Sequence, residues 1–415
     1  MLDDSRHQGP LVGLRVVELA SERACFAGKL LADHGAEVVV VEPPAGHHSR
    51  RWAPFAGDVE DPERSLWWWH YNTSKLGVRL DLDDAADAET FARLVATADI
   101  VLESEPPGTL AARGLDYPDL RARRPDMIWV SVTPFGRSGP RAGEQVTDLT
   151  VLSAGGPVWS CGYDDHSIPP VRGGGNQGFH TASIFAVMAA LTAVLHRGVT
   201  GVGQFVDVSM HAAANVTTEA ATYEYLVAQR TVQRMTGRHA GVRLTTSSIA
   251  PAADGTLVHS GVPPRSGPEF GQLLAWIDDL GLRDEFGEAF FLEMGRERGG
   301  VHISEIYSDP EAQAIFNAGR EGVKFLAARL GAYDFFIGAQ THGLAATVVY
   351  SPEEVLSDPH FVARGFPTPV EHEDLGATYT YPGLPFGFGA SPGRITRAPH
   401  LGEHDDVVLA PLRDR

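Results

Sequence analysis

The stretch PPVRGGGNQGFHTASIFAV, from Pro169 to Val187, sets Gly173, Gly174, Gly175 and Gly178 directly before an apolar helical run. A loop of this kind can carry a working group, or hold an anion on the free N–H groups of a helix N-terminus. From Ser167 to Ser183 there is no Asp or Glu. Gly173, Gly175 and Gly178 spell G-x-G-x-x-G. A dinucleotide fingerprint, however, requires the first βα turn and an acid about twenty residues later. This loop comes late in the chain, so the glycines predict a tight turn that lets backbone approach backbone or ligand. An enzyme working through this loop would have to use other residues, such as Asn176, His180, Asp148, Asp164 or Asp165, with the glycines as an oxyanion cradle.

Other chemistries find less support. There are 17 histidines, but His47 and His48 are adjacent, and neither an H-E-x-x-H pattern nor a Cys/His cluster occurs. No metal is expected, and the histidines read as surface or capping residues. The segment GRSGP at Gly136–Pro140 lacks the G-x-S-x-G elbow of a serine hydrolase. Trp67, Trp68 and Trp69 cannot all face one core, so one or two should line a pocket or an interface.

The elements that must position these residues begin with LRVVEL, RACFAGKLLADHG and AEVVVVEPP, which read as strand, helix and strand. That βαβ unit implies parallel pairing with a right-handed crossover. Glu42 ends the second strand, where a dinucleotide fold holds a ribose, yet the first turn, ASERAC, has no glycine. Helix and strand go on alternating to about residue 135, and QFVDVSM adds a further strand after the long helix HTASIFAVMAALTAVLHRG. The fold class is therefore α/β: a Rossmann-like, doubly wound parallel large domain over residues 1–214 and a smaller α+β domain over 215–345. A Pro- and Gly-rich C-terminal segment, 346–415, is expected to wrap back onto the large domain.

Composition bounds the function classes. The net charge of −19 argues against a nucleic-acid-binding surface, so an anionic ligand would need a local basic pocket. Two cysteines fit a reducing cytoplasm rather than a secreted disulfide framework. The polar start MLDDSRHQGP shows no signal peptide. The apolar run around 182–195 is too short for a membrane span and reads as a buried helix.

Several ordered blocks resemble the family III CoA-transferases, the CaiB/BaiF group. GLRVVELASERACFAGKLLADHGAEVVVVEPP is similar to the family's opening, and YNTSKLGVRLDL to its xNRGKRSVTLDL block. LTAVLHRGVTGVGQFVDVSM, YSPEEVLSDPHFVARGF and PHLGEHDDVVL are similar to later signatures. The resemblance implies an interlocked dimer. It also implies CoA transfer between carboxylic acids through an aspartate that attacks the thioester and forms a mixed anhydride.

At that aspartate's position this chain has Gly174, and where the family's racemases carry a histidine it has Thr147. Stretches that hold CoA in the family have also changed, with Thr73, Leu76 and Glu105 standing at positions where cations are lost or an acid is gained. Arg50, Arg51, Asn72, Lys75 and Arg79 remain as candidates for CoA contacts. The resemblance thus implies a subunit of a heteromeric CoA-transferase, comparable to the benzylsuccinate CoA-transferases. A paralogous partner would supply the aspartate and bind most of the coenzyme A thioester substrate. A homodimer, a stand-alone acyl-CoA enzyme and a regulatory or assembly subunit are the alternatives.

Overall fold

The computed structural model describes residues 8–163, 165–235, 238–240 and 247–413. These form two compact units: one from residues up to 158, 172–222 and 359 onward, the other from 159–171 and 223–358. The expected boundary at 214 thus lies a few residues early. Residues 159–171, expected in the large domain, pack with the second unit, where Trp159 Nε1 donates to the Val232 carbonyl and Arg234 to that of Ile168. Backbone carbonyls of a Pro-rich loop carry no signal of their partner in the sequence.

The first unit is built on a six-stranded parallel sheet. In chain order its elements are β1 (Arg15–Leu19), α1 (Cys25–Asp33), β2 (Glu37–Glu42), α2 (Leu66–Tyr71), β3 (Leu76–Arg79), α3 (Ala85–Thr97), β4 (Ile100–Glu103), α4 (Tyr117–Leu120), β5 (Ile128–Thr133), α5 (Asp148–Gly155), α6 (Gln177–Thr200) and β6 (Phe205–Ser209). The strand order is β3-β2-β1-β4-β5-β6, and every neighbouring pair is parallel. This is the doubly wound order, with its switch point between β1 and β4, where open α/β sheets leave a crevice at the strands' carboxyl ends. The continuous run VVVV of β2 is buried on both faces, as a strand covered by helices must be.

Between α1 and β1 the contact is unusually close. A Cβ at Gly28 would come within 1.7 Å of Glu18 Oε2, so glycine there lets α1 lie over a buried carboxylate. The α6 helix runs 24 residues and is long and apolar enough to cross a membrane, which corrects the shorter span expected from the sequence. One side of it, Phe179, Ala182, Ala186, Ala190 and Ala193, inserts into the core beside β4 and β5. Ile184, Met188, Leu195 and Val199 on its other side are exposed.

Residues 359–413 are not featureless. They form an antiparallel hairpin, Pro367–His372 with Ala377–Pro382, and a terminal segment bonded along β3. There Gly77 N–H donates to His404, and Arg79 pairs with Asp405. In the second unit, helices Gly267–Asp279, Ala289–Glu297, Pro310–Ala327 and Ala332–Thr341 enclose a core centred on Phe270, Leu273 and Phe335, beside a small antiparallel sheet.

Candidate functional site

The glycine loop stands at the N-terminus of α6. Gly173, Gly174 and Gly175 are exposed, and a Cβ on Gly174 would meet nothing within 4 Å. Gly175 has φ +76°, whereas Gly174 lies outside the left-handed region and does not need to be glycine for its backbone. Gly178 does need to be small, because a Cβ there would press on Val151 at 2.8 Å.

The helix has no cap from its own Asn176. Asp148, buried at the start of α5, serves instead: its Oδ1 accepts from Gly178 N at 2.8 Å and from Phe179 N at 3.1 Å. Its Oδ2 lies 3.4 Å from Arg172. Two helix N–H groups that an oxyanion or phosphate would need are therefore already held by a carboxylate. The anion cradle suggested by the glycines is occupied from inside the chain.

Beyond the cap lies a small polar cluster. Tyr71 Oη is 2.7 Å from His180 Nε2, and Asn176 Nδ2 donates to the same oxygen at 3.2 Å. Burial lowers the pKa of His180, against an opposing pull from Asp148, and favours neutral imidazole. Burial likewise raises Tyr71 to about 12, so the phenol stays protonated. Phe26 stacks on His180 at 4.3 Å. From Tyr71 the aromatic contacts continue through Trp67 at 4.4 Å, Trp52 at 4.9 Å from Trp67, and His48 at 5.2 Å from Trp52. Trp67 is the outward member of the tryptophan run. Trp68 and Trp69 are both buried in one core cluster, two neighbours sharing a core that the sequence allowed only in part.

Nucleophiles are scarce around this loop. Burial pushes the Cys25 thiol well above its ordinary range, and Thr181 Oγ1 is turned back onto the Gln177 carbonyl. Asp165 is exposed in the second unit and accepts from Ser167 N–H; Asp164 lies outside the described residues.

Four of the five candidate CoA contacts are engaged within the chain. Arg50 is buried, bonded to both oxygens of Glu42 and to Glu63, and sits over the Trp68 ring at 3.9 Å. Glu42 is thereby removed as a ribose ligand. Lys75 is fully buried and donates to Glu18 at 2.8 Å, to the Cys25 carbonyl at 2.9 Å and to Asn72 at 3.0 Å, which also occupies Asn72. Arg79 is paired with Asp405. Arg51 is exposed, 3.5 Å from the Ala45 carbonyl, and Arg79 is exposed too beside its acidic partner.

These placements correct the reading of Arg50, Asn72 and Lys75 as open phosphate contacts, while Arg79 stays half exposed beside Asp405. Glu42 and Glu63 neutralise Arg50 and Glu18 neutralises Lys75, and a buried cation saturated with protein acceptors has no donor to spare. At the switch point itself the strand ends bring up carboxylates. Burial raises the pKa of Glu105, Arg113 and Arg23 lower it, and repulsion from Glu22 adds to the rise. Tyr71, Phe26 and Arg172 were not singled out in the sequence. Tyr71 closes the tryptophan run, and only the tertiary pairing with His180 gives it a place in the site.

Known proteins agree with this architecture. A family model described as CoA-transferase family III matches residues 11–284 and 331–405. The chain is 30% identical over 401 residues to the succinyl-CoA:(R)-benzylsuccinate CoA-transferase subunit BbsE of Thauera aromatica, covering 95% of this chain and 92% of that one. It is also 30% identical to the succinyl-CoA–D-citramalate CoA-transferase of Chloroflexus aurantiacus, covering 99% of this chain and 96% of that one. A crystal structure of a CAIB/BAIF family protein from Brucella suis superposes with a TM-score of 0.78 at 26% identity, covering 98% of this chain and 100% of that one.

Proposed function

This chain belongs to CoA-transferase family III, whose members act on CoA thioesters, and from that membership we propose that it works as one subunit of a heteromeric CoA-transferase in which a paralogous partner supplies the nucleophilic aspartate. The observation that carries this reading is the open space around Gly174, which the family resemblance puts at the nucleophile's position, together with the commitment of Asp148 to capping α6. The engagement of Lys75, Arg50 and Arg79 by internal acids supports a partner that binds most of the CoA. The exposed apolar side of α6 gives such a partner a surface to cover. One of the most similar relatives is itself named as a subunit of a transferase for an aryl-substituted dicarboxylate. The aromatic contacts from Phe26 and His180 through Tyr71 and Trp67 to Trp52 suit a substrate of that class, with succinyl-CoA as the CoA donor.

The test compares the purified chain with its complex with an intact paralogue, using succinyl-CoA and a panel of alkyl and aryl dicarboxylates. The chain alone should show no transfer and no acyl group trappable by hydroxylamine, while the complex is active. Turnover by the chain alone at about 1 s⁻¹ or faster would refute the subunit reading. Gly174→Asp is informative because it fits without steric clash. It should fold normally and still fail to transfer CoA alone, because the cations that would bind CoA remain paired. Strong activity from that variant alone would show that the rest of the site is complete.

A further inference from the structure

A second constellation lies at the carboxyl end of the sheet, away from the glycine loop's cap. Glu22 stands in the turn after β1, and His47 and His48 in the connection after β2, so two adjacent strands deliver three potential metal-binding side chains to one place. Glu22 Oε2 is 3.8 Å from His47 Nε2 and 3.6 Å from His48 Nε2, and the three ligand atoms all lie within 4.8 Å of one another. Ligands around a tetrahedral zinc at ~2.0–2.1 Å bond length are about 3.3 Å apart. The observed spacing needs only a small inward movement of side chains. We propose that Glu22, His47 and His48 form a binding site for a divalent transition metal ion of the zinc class, with at least one coordination position open to solvent.

The surroundings favour this reading over a chance contact. His47 Nδ1 is 2.8 Å from the hydroxyl of buried Ser49. That nitrogen also accepts from Ser49 N–H at 3.4 Å, and the two contacts hold the ring with its Nε2 edge turned toward Glu22. His48 packs against Trp52, and the two imidazole rings are 4.0 Å apart. The remaining Glu22 oxygen faces Arg23 Nε at 3.6 Å, which leaves Oε2 for the imidazoles. Adjacent histidines do not fit the helical spacing of the common motifs. Here they stand at the start of a short 3₁₀ turn, His48–Arg51, capped by His47, which is why the sequence pattern predicted no metal.

The experiment titrates EDTA-treated full-length chain with Co²⁺, followed by visible absorption, and with Zn²⁺ by calorimetry. One ion per chain is expected, with cobalt bands that zinc abolishes. His48→Ala, which removes an exposed side chain, and Glu22→Gln, which preserves shape, should each weaken binding by tenfold or more while the circular dichroism spectrum and unfolding midpoint stay as in the parent. Absence of stoichiometric binding, or binding unchanged in both variants, would overturn the proposal.

Discussion

Lys75 offers the sharpest test of which charged residues are structural. Its ammonium has three protons and three acceptors, Glu18, the Cys25 carbonyl and Asn72, all within 3.0 Å, and neither it nor Glu18 has any side-chain exposure. Lys75→Ala strands Glu18 under α1, where Gly28 leaves no depth for solvent to follow. Removing one partner of a buried pair costs about 3–5 kcal/mol, a large share of the ~5–15 kcal/mol that holds a typical domain together. Urea unfolding at pH 7.5 should show a loss of that size.

Glu18→Leu/Lys75→Met, which replaces both charges with apolar side chains, should recover most of it. The pH dependence follows from the direction of the shift. Burial raises the Glu18 pKa, with Lys75 pulling it down. Without Lys75 the folded-state pKa climbs further above the unfolded value of ~4.3. Stability tied to the neutral carboxyl is present at acid pH and is lost as pH rises through the folded pKa. The deficit of Lys75→Ala should therefore shrink toward pH 4 and widen toward pH 8. An unchanged unfolding midpoint combined with selectively weakened CoA binding would refute the structural assignment and return Lys75 to the phosphate pocket.

Asp148→Ala should cost about 2–4 kcal/mol in the same assay by orphaning the buried N–H groups of Gly178 and Phe179, with Asp148→Asn losing roughly half as much; wild-type stability in both would show that the cap is dispensable. Burial, assisted by Lys29 and His180, lowers His70 to about 3. Because its unfolded pKa is ~6.5, the stability associated with neutral His70 is complete above that value and lost as pH falls toward 3, so wild type should weaken progressively in acid. His70→Asn should flatten this slope by up to ~1.4 kcal/mol per pH unit, measured as urea midpoints from pH 7.5 to 4.5; identical slopes would rule out His70 as the group responsible.

By itself the sequence determined the parallel sheet, the family and the glycine-rich entrance to α6. The runs of β1 and β2, the helical spacing of α1 and the family's ordered blocks are local patterns, and residues near in sequence express them through hydrophobic period and backbone preference. The loop GGGNQG was legible as a helix entrance because glycine's conformational freedom belongs to the residue. What the loop holds was decided by Asp148, thirty positions away, which fills the helix N-terminus that an anion would otherwise take.

The cations show the same division. Arg50, Lys75 and Arg79 read as ligands because charge is a property of a side chain, but pairing is a property of the fold. Their partners include Glu18 on a different strand, the carbonyl of Pro399 and the carboxylate of Asp405. His47 and His48 go the other way. As neighbours in a chain they carry no metal-binding period, and only the crossover that sets β1 beside β2 brings Glu22 within reach of both. Electrostatic and coordinative contacts act over a few ångströms of space whatever the separation along the chain, so tertiary structure alone could assign those residues their partners.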